Sequence, residues 1–130
     1  MRILFDTNAY VAWKTGHEGV ARLLRESERV YASSVVVGEL LAGFRLGTRY
    51  KQNTRELGEL LADPAVVPVG IDNTTADRYA RLVVQLRRKG RPIPTNDIWI
   101  AAQALQTGAD LVSFDAHFGE VDGVAWVDPS

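Results

Sequence analysis

Arg2-Ile3-Leu4-Phe5-Asp6 is a short apolar run that ends in an acid. An apolar run without polar alternation is typical of a strand buried on both faces, as in the centre of a parallel sheet. We therefore predict a central strand here, followed at once by a helix that Thr7 or Asn8 can cap and that reaches about Trp13. An ionised group at the end of a buried strand needs a partner, which makes Asp6 the first candidate functional residue.

Strand and helix signals alternate along the rest of the chain. Short apolar runs predict further strands at residues 29–33, 66–69, 111–114 and 124–127. Helical spacing and capping residues predict helices over Glu18–Glu28, Ser34–Leu46, Tyr50–Ala62, Asp72–Lys89 and Asp97–Gln106. This alternation favours an α/β fold, with a mostly parallel sheet of about five strands flanked by helices. No segment resembles an interdomain linker, so we predict a single domain over residues 1–130.

Four acids stand where predicted strands pass into loops or helices. Asp6 and Asp115 end two strands, Glu39 lies one turn into the helix that Ser34 opens, and Asp97 begins another helix. Parallel strands bring their carboxyl ends to one edge of a sheet, so we expect these acids to meet there. Clustered carboxylates repel each other, and a hard divalent cation is their natural occupant. Taken singly, each acid also has an ordinary explanation as a helix-dipole acid, a turn residue or a solvated side chain.

The composition excludes several classes of protein. A hydrophobic fraction of 46% and a charged fraction of 24% are those of an ordinary globular protein. The absence of cysteine excludes disulfides, thiolate zinc sites and a cysteine nucleophile. No apolar run approaches the roughly 20 residues of a membrane span, and no basic-then-apolar signal segment is present. We therefore expect a cytoplasmic protein without a membrane partner.

The segment Arg78–Arg91 contains six basic residues and no acidic one, although the net charge of the chain is −1. Such a run is more often a solvated helix face than a phosphate-binding patch, and both interpretations stay open. The helical spacing places Ala76, Tyr79, Ala80 and Val83 on the predicted buried face of this helix.

The aromatic residues and histidines carry weaker signals. Trp99 lies in an apolar helical run and is predicted to be a core residue, whereas Trp13 and Trp126 are candidates for stacking on bases. His17 and His117 flank loops far apart in the sequence, so we interpret them as surface histidines rather than as a catalytic pair.

Four segments carry a resemblance to a known family. They are Leu4-Phe5-Asp6-Thr7-Asn8, Ser34-Val35-Val36-Val37-Gly38-Glu39-Leu40-Leu41-Ala42-Gly43, Asn96-Asp97-Ile98-Trp99-Ile100-Ala101-Ala102 and Leu111-Val112-Ser113-Phe114-Asp115-Ala116-His117-Phe118. In this order and at this chain length they resemble the PIN-domain ribonucleases, and among these the small toxins of VapBC-type toxin–antitoxin pairs. The chain departs from many such relatives at His117, where those carry a further acid.

The resemblance implies a PIN-like nuclease domain with a site built from acids. By the resemblance, the metal-site and catalytic acids are Asp6, Glu39, Asp97 and Asp115, with Thr7 and Ser113 as hydroxyl support. Oxygen ligands select a hard ion, so we expect Mg²⁺ as the cofactor, with Mn²⁺ as a substitute. Asp6 and Asp97 are expected to be the principal ligands, while Glu39 positions or deprotonates the attacking water and Asp115 completes a second-metal or outer shell.

The same resemblance implies the activity and the partners. The expected activity is metal-dependent endonucleolytic cleavage of RNA that leaves a 5′-phosphate and a 3′-hydroxyl, in a toxin that arrests growth. The expected partners are the RNA substrate and a cognate antitoxin, with a homodimer or a higher assembly that includes the antitoxin. Segments 35–46 and 50–61 are rich in Leu and Val, so they either pack in the ordinary way or form a groove for an antitoxin helix.

Two alternatives remain open at the level of the sequence. A catalytically silent PIN module that binds RNA or a protein partner would not need the acids, and a metal-binding measurement would separate it from a nuclease. A haloacid-dehalogenase-like phosphatase would also place a nucleophilic aspartate at Asp6. That chemistry expects a second aspartate two residues later, where this chain has Asn8.

Overall fold

The computed structural model describes all 130 residues, and strands and helices alternate in it as predicted. The strands are β1 (Arg2–Phe5), β2 (Arg29–Ser33), β3 (Val66–Val69), β4 (Asp110–Val112) and β5 (Trp126–Val127). The α-helices are α1 (Thr7–Lys14), α2 (Glu18–Glu26), α3 (Ser34–Leu46), α4 (Tyr50–Leu61), α5 (Asn73–Lys89) and α6 (Thr95–Thr107). A 3₁₀ turn, Ala116–Glu120, lies between β4 and β5.

The five strands form one sheet in the order β3-β2-β1-β4-β5, and every neighbouring pair is parallel. Leu4 of the central strand pairs with Tyr31 on one side and with Leu111 on the other. The chain builds the sheet outwards from β1 to β3 and then returns to add β4 and β5 on the opposite side. The carboxyl ends of β1 and β4 therefore border the point where the strand order reverses, which is where open α/β sheets bind ligands.

The hydrophobic core surrounds the central strand. Ile3, Leu4 and Phe5 are almost fully buried, which explains why their segment lacks polar alternation. Phe118, from the 3₁₀ turn, is also fully buried and belongs to the same core cluster. No helix combines the length and the apolar character that crossing a membrane requires.

Two packing predictions were wrong in part. Ala76 and Ala80 are exposed, and α5 instead buries Thr75, Leu82 and Leu86. Thr75 can be buried because its hydroxyl and backbone are paired with the capping residue of α5 and with a glutamine of α6.

Trp99 is not a core residue. It is half-buried between α5 and α6, where its ring stacks on that of Tyr79 with centroids 3.8 Å apart. The apolar run around it misled the prediction, because α6 presents this position to α5 rather than to the sheet.

The element ends differ from the predictions where side chains take over backbone hydrogen bonding. β1 stops before Asp6, because Asp6 rather than Thr7 or Asn8 caps α1 by accepting a hydrogen bond from the Ala9 amide. Ser33, rather than Ser34, caps α3. The remaining shifts are small: α2 ends at Glu26, α4 at Leu61, α6 begins at Thr95 behind Pro94, β4 covers Asp110–Val112 and β5 covers Trp126–Val127.

Candidate metal centre

The four predicted acids line one cleft at the carboxyl edge of the sheet. Asp6 follows β1, Asp115 lies just beyond β4, Glu39 projects from α3 and Asp97 from the first turn of α6. The cleft has a volume of about 480 Å³ and is lined by Asp6, Thr7, Asn8, Glu39, Pro94, Thr95, Asn96, Asp97 and Asp115. Pro94 is the one residue of this lining without a polar side chain, so the chemistry of the cleft suits cations and polar ligands rather than an apolar molecule.

A buried polar network fixes the helices that carry Glu39 and Asp97. Ser33 caps α3 by accepting hydrogen bonds from two backbone amides, and its hydroxyl donates to Gln103 Oε1 of α6. The amide of Gln103 donates in turn to the Val69 and Gly70 carbonyls at the carboxyl end of β3. Since Ser33 and Gln103 are both fully buried, α3 and α6 are anchored to the same edge of the sheet.

Asp6 is the most buried of the four acids, with 6% of its surface exposed. Its Oδ1 accepts from the Ala9 amide at 2.9 Å, and its Oδ2 accepts from Ser113 Oγ. Burial raises the pKa of Asp6, and the charges of Asp115 and Glu39 raise it further, while the two hydrogen bonds oppose the shift. A cation bound in the cleft would therefore stabilise the ionised form of Asp6.

Ser113 links Asp6 to the loop that carries Asp115. Its hydroxyl donates to Asp6 Oδ2 and accepts from the Asp115 backbone amide at 2.9 Å. The Ser113 side chain is fully buried, so neither bond competes with solvent. Trp126 supports the same loop by donating from Nε1 to the Ser113 carbonyl at 2.9 Å. This contact gives Trp126 a structural role in place of the base-stacking role considered from the sequence.

Glu39 is held by both of its carboxylate oxygens. Thr7 Oγ1 donates to Oε1 at 2.7 Å, and Asn96 Nδ2 lies 3.4 Å from Oε2. Thr7 and Ser113 thus both donate to carboxylates of the cleft. The neighbouring Asn8 and Asn96 also line the cleft, and Asn96 is a contact that the sequence did not single out.

Asp97 and Asp115 differ in burial. The Asp97 side chain is 20% exposed, whereas that of Asp115 is 49% exposed. Burial raises the pKa of Asp97, His117 opposes the shift, and the other three acids of the cleft add to it. The charged form of Asp97 is therefore disfavoured in the protein alone and is stabilised by any cation that binds in the cleft.

His117 was wrongly interpreted as a surface histidine. Its Nε2 lies 3.0 Å from Asp97 Oδ2, and its Nδ1 lies 3.3 Å from Asp115 Oδ1. The ring is 25% exposed and meets Phe118 edge-on, with centroids 4.7 Å apart. The available signal was its position two residues after Asp115, but only the 3₁₀ turn folds the ring back onto both acids.

The other candidate groups lie outside the cleft. His17 caps α2, with Nδ1 accepting from the Val20 amide at 3.3 Å. Trp13 packs edge-on against Tyr10. In the basic run, Lys89 donates to Asp122 and to the Glu120 carbonyl, and these contacts compete with phosphate for its ammonium group.

The residues of the cleft fit a divalent cation. Its charged side chains are all acids, and no arginine or lysine pairs with any of the four. Carboxylate oxygens suit hard ions such as Mg²⁺ and Mn²⁺. His117 Nε2 is shielded from solvent and makes no well-directed hydrogen bond, although Asp97 is adjacent. Asp97, Asp115 and His117 offer ligand atoms that all lie within 4.8 Å of one another.

Sequence comparison connects this cleft with a known family. The family model described as "PIN domain" matches residues 3–124. "Ribonuclease VapC5" of Mycobacterium tuberculosis is 30% identical over 127 residues, which cover 96% of this chain and 91% of that protein. "Ribonuclease VapC1" of Haemophilus influenzae strain R2866 is 30% identical over 112 residues, covering 85% of this chain and 81% of that protein.

Solved structures agree with the sequence match. VapBC-1 from nontypeable Haemophilus influenzae superposes with a TM-score of 0.85 at 25% identity, covering 99% of this chain and 98% of that one. FitAcB from Neisseria gonorrhoeae superposes with a TM-score of 0.78 at 29% identity, covering 98% and 97%. The predicted α/β fold class and the predicted resemblance are confirmed, and the family match replaces the dehalogenase-like alternative. The chain belongs to the PIN-domain family.

Proposed function

We propose that this chain is a metal-dependent endoribonuclease and the toxin of a toxin–antitoxin pair. The observation that carries the proposal is the cleft in which Asp6, Glu39, Asp97 and Asp115 meet without an arginine or a lysine as partner. The relatives support the substrate class, since several carry the name ribonuclease. The family match over residues 3–124 supports the proposal that the 130 residues act as one nuclease domain.

The four acids take different parts in the proposed site. Asp6 and Asp97 have raised pKa values, so they gain most from a cation and are assigned as its principal ligands, directly or through water. Mg²⁺ or Mn²⁺ bound there would polarise a phosphoryl oxygen and lower the pKa of water. Asp115, half-exposed at the rim, is assigned to the outer shell or to a second ion.

Glu39 is assigned to the attacking water. Thr7 and Asn96 hold its two oxygens in place, and each carboxylate oxygen keeps a further lone pair that can accept a proton or a hydrogen bond from water. Attack of that water on phosphorus would leave a 5′-phosphate and a 3′-hydroxyl. A route through the ribose 2′-hydroxyl would instead leave a 2′,3′-cyclic phosphate, and His17, which caps α2, does not pair with His117 to serve that route.

The partner proposal rests on the assemblies that similar proteins form. The solved neighbours include VapBC complexes and FitAB, some of them bound to DNA. We infer a cognate antitoxin for this chain, in a homodimer or a higher assembly. A groove between α1, α3 and α4, lined by Tyr10, Val11 and Phe44 with polar neighbours, has a volume of about 340 Å³ and is a candidate binding site for an antitoxin segment.

Cleavage by site variants tests the proposed function. Asp6→Asn should lower cleavage of a single-stranded or looped RNA by orders of magnitude in Mg²⁺, because it removes a ligand charge from the centre of the cleft. Asp77→Asn is the matched control, since Asp77 is exposed on α5 and pairs with Arg81. Asp77→Asn should cleave like wild type. Equal cleavage by wild type and by folded Asp6→Asn would refute the assignment of the cleft.

A further inference from the structure

We propose that His117 is itself a metal ligand, with its Nε2 and Asp97 Oδ2 binding the same divalent ion and Asp115 orienting the ring. The proposal rests on the proposed function, because it extends the metal centre of the cleft from oxygen to nitrogen donors. It gives His117 a part in the site that neither the family match nor the names of the relatives assign.

The spacing of the two donor atoms fits a shared ion. Ligands at neighbouring corners of an octahedron, about 2.1 Å from an ion, lie about 3.0 Å apart. His117 Nε2 and Asp97 Oδ2 are 3.0 Å apart. One ion can therefore bind both atoms without movement of either backbone.

Each ring nitrogen of His117 faces one carboxylate of the cleft. Nδ1 lies 3.3 Å from Asp115 Oδ1, so a proton on Nδ1 can point at this carboxylate while Nε2 is left to bind a metal ion. That proton leaves a lone pair on Nε2, facing the negative oxygen of Asp97. Nε2 is shielded from water and has no well-directed hydrogen-bond partner. A lone pair and a carboxylate in contact repel each other unless a proton or a metal ion lies between them, and a metal ion in the cleft can take the place of that proton.

The arrangement as a whole matches a recurrent feature of metal sites. A histidine that binds a metal commonly donates its other ring N–H to a carboxylate, which fixes the tautomer and the orientation of the ring. Here that carboxylate is Asp115, which acts as a positioning residue for this ion. Packing also fixes the ring, because His117 meets the fully buried Phe118 edge-on.

A nitrogen ligand changes which ions bind best. Imidazole suits borderline transition metals, whereas Mg²⁺ prefers oxygen. Co²⁺, and to a lesser extent the harder Mn²⁺, should therefore gain affinity relative to Mg²⁺ by a margin that depends on His117. His117→Asp converts the site to oxygen donors only and should lower the Co²⁺/Mg²⁺ affinity ratio more than the Mn²⁺/Mg²⁺ ratio.

Pulsed electron paramagnetic resonance of Mn²⁺ bound to the full chain tests the inference directly. Protein labelled with ¹⁵N only at histidine should show a ¹⁵N coupling typical of directly bound imidazole. The chain has two histidines, so His17→Asn is the matched control. Asn can also cap a helix, and the coupling should persist in that variant. His117→Asp and His117→Gln should both bind Mn²⁺ without the coupling.

The same measurement separates the possible failures. Bound Mn²⁺ without a histidine coupling in wild type would overturn the inference and leave the proposed metal centre standing. No Mn²⁺ binding at all would overturn both. For the positioning residue, Asp115→Asn should keep the coupling, since its amide oxygen can still accept from Nδ1–H, whereas Asp115→Ala should weaken Mn²⁺ binding by about 10- to 100-fold. Equal Mn²⁺ affinity in Asp115→Ala and wild type would remove the orienting role.

Discussion

Asp97→Asn should stabilise the metal-free protein near neutral pH while removing much of its response to Mn²⁺. The pKa of Asp97 is raised above its usual 3.8 by burial and by the other acids, despite the opposing effect of His117. The folded state therefore binds a proton more tightly than the unfolded chain, and wild type loses stability as the pH rises from about 3.8 through the raised pKa. Asn carries no charge, so the variant does not lose stability in this way as the pH rises.

The magnitude follows from the geometry of the cleft. Asp97 and Asp115 have oxygens within 4.8 Å of each other, where two unit charges repel by about 3.5 kcal/mol at an effective dielectric near 20. The Asp115 side chain is 49% exposed, so solvent screens much of this repulsion, and the loss of the His117 contact offsets another part. A net gain of about 1 kcal/mol corresponds to a rise in melting temperature of roughly 4 °C for a chain of this length.

The assay is thermal melting from pH 3.5 to pH 7.5, with EDTA or with Mn²⁺. In EDTA, the melting temperature of Asp97→Asn should equal that of wild type near pH 3.5 and exceed it at pH 7.5. Mn²⁺ stabilises the folded state that binds it, so its effect should be large for wild type and small for Asp97→Asn. Asp77→Asn should follow wild type throughout.

Two outcomes would refute this account of Asp97. If Asp97 only complements the dipole of α6, its replacement should cost stability at neutral pH rather than add to it. An Asp97→Asn variant that is less stable than wild type at pH 7.5 in EDTA would therefore refute the repulsion argument. A full Mn²⁺ response in that variant would remove Asp97 from the metal centre.

Three further predictions concern the support of the site, the substrate and the partner. Ser113→Ala should cost about 1–3 kcal/mol of stability, because it leaves buried polar groups unpaired. It should also move the acidic limb of the cleavage pH profile to higher pH, because the Ser113 hydrogen bond lowers the pKa of Asp6. An unchanged profile would contradict this role. The double variant Arg87→Ala, Arg88→Ala should reduce the salt dependence of RNA binding by about one unit of slope for each lost phosphate contact, whereas Arg25→Ala on α2 should leave it unchanged. An unchanged slope in the double variant would show that the basic run is solvated surface that does not bind RNA. Expression of the chain alone in bacteria should arrest growth and co-expression of the protein encoded next to it should relieve the arrest; normal growth with folded protein would favour the silent module.

The position of the four acids could be predicted because it depends on topology alone. A buried run such as Ile3-Leu4-Phe5 is assigned to a central strand on composition, and parallel strands must deliver residues like Asp6 and Asp115 to the same edge. Glu39 and Asp97 follow from the helices that start at that edge. These inferences need no knowledge of side-chain conformation.

The features that escaped prediction depend on pairwise contacts. His117 reaches Asp97 and Asp115 only because a 3₁₀ turn folds its ring back, and its position two residues after Asp115 does not show in which direction the ring points. Thr75 is buried on α5 in place of Ala76 because its hydrogen bonds are satisfied by Asp72 and by α6. A prediction from residue polarity alone buries Ala76 and exposes Thr75, which is the reverse of the structure.

RNA cleavage measured after chelation and again after metal is returned tests the metal-dependent nuclease site most directly. The protein is dialysed against EDTA, checked for folding by circular dichroism, and assayed on one end-labelled RNA with no metal and then with added Mg²⁺ or Mn²⁺. We expect no cleavage without metal, and recovery on addition of either ion with products that carry a 5′-phosphate and a 3′-hydroxyl. Undiminished cleavage in EDTA, or products that end in a 2′,3′-cyclic phosphate, would contradict the proposal that the four carboxylates form a metal-dependent nuclease site.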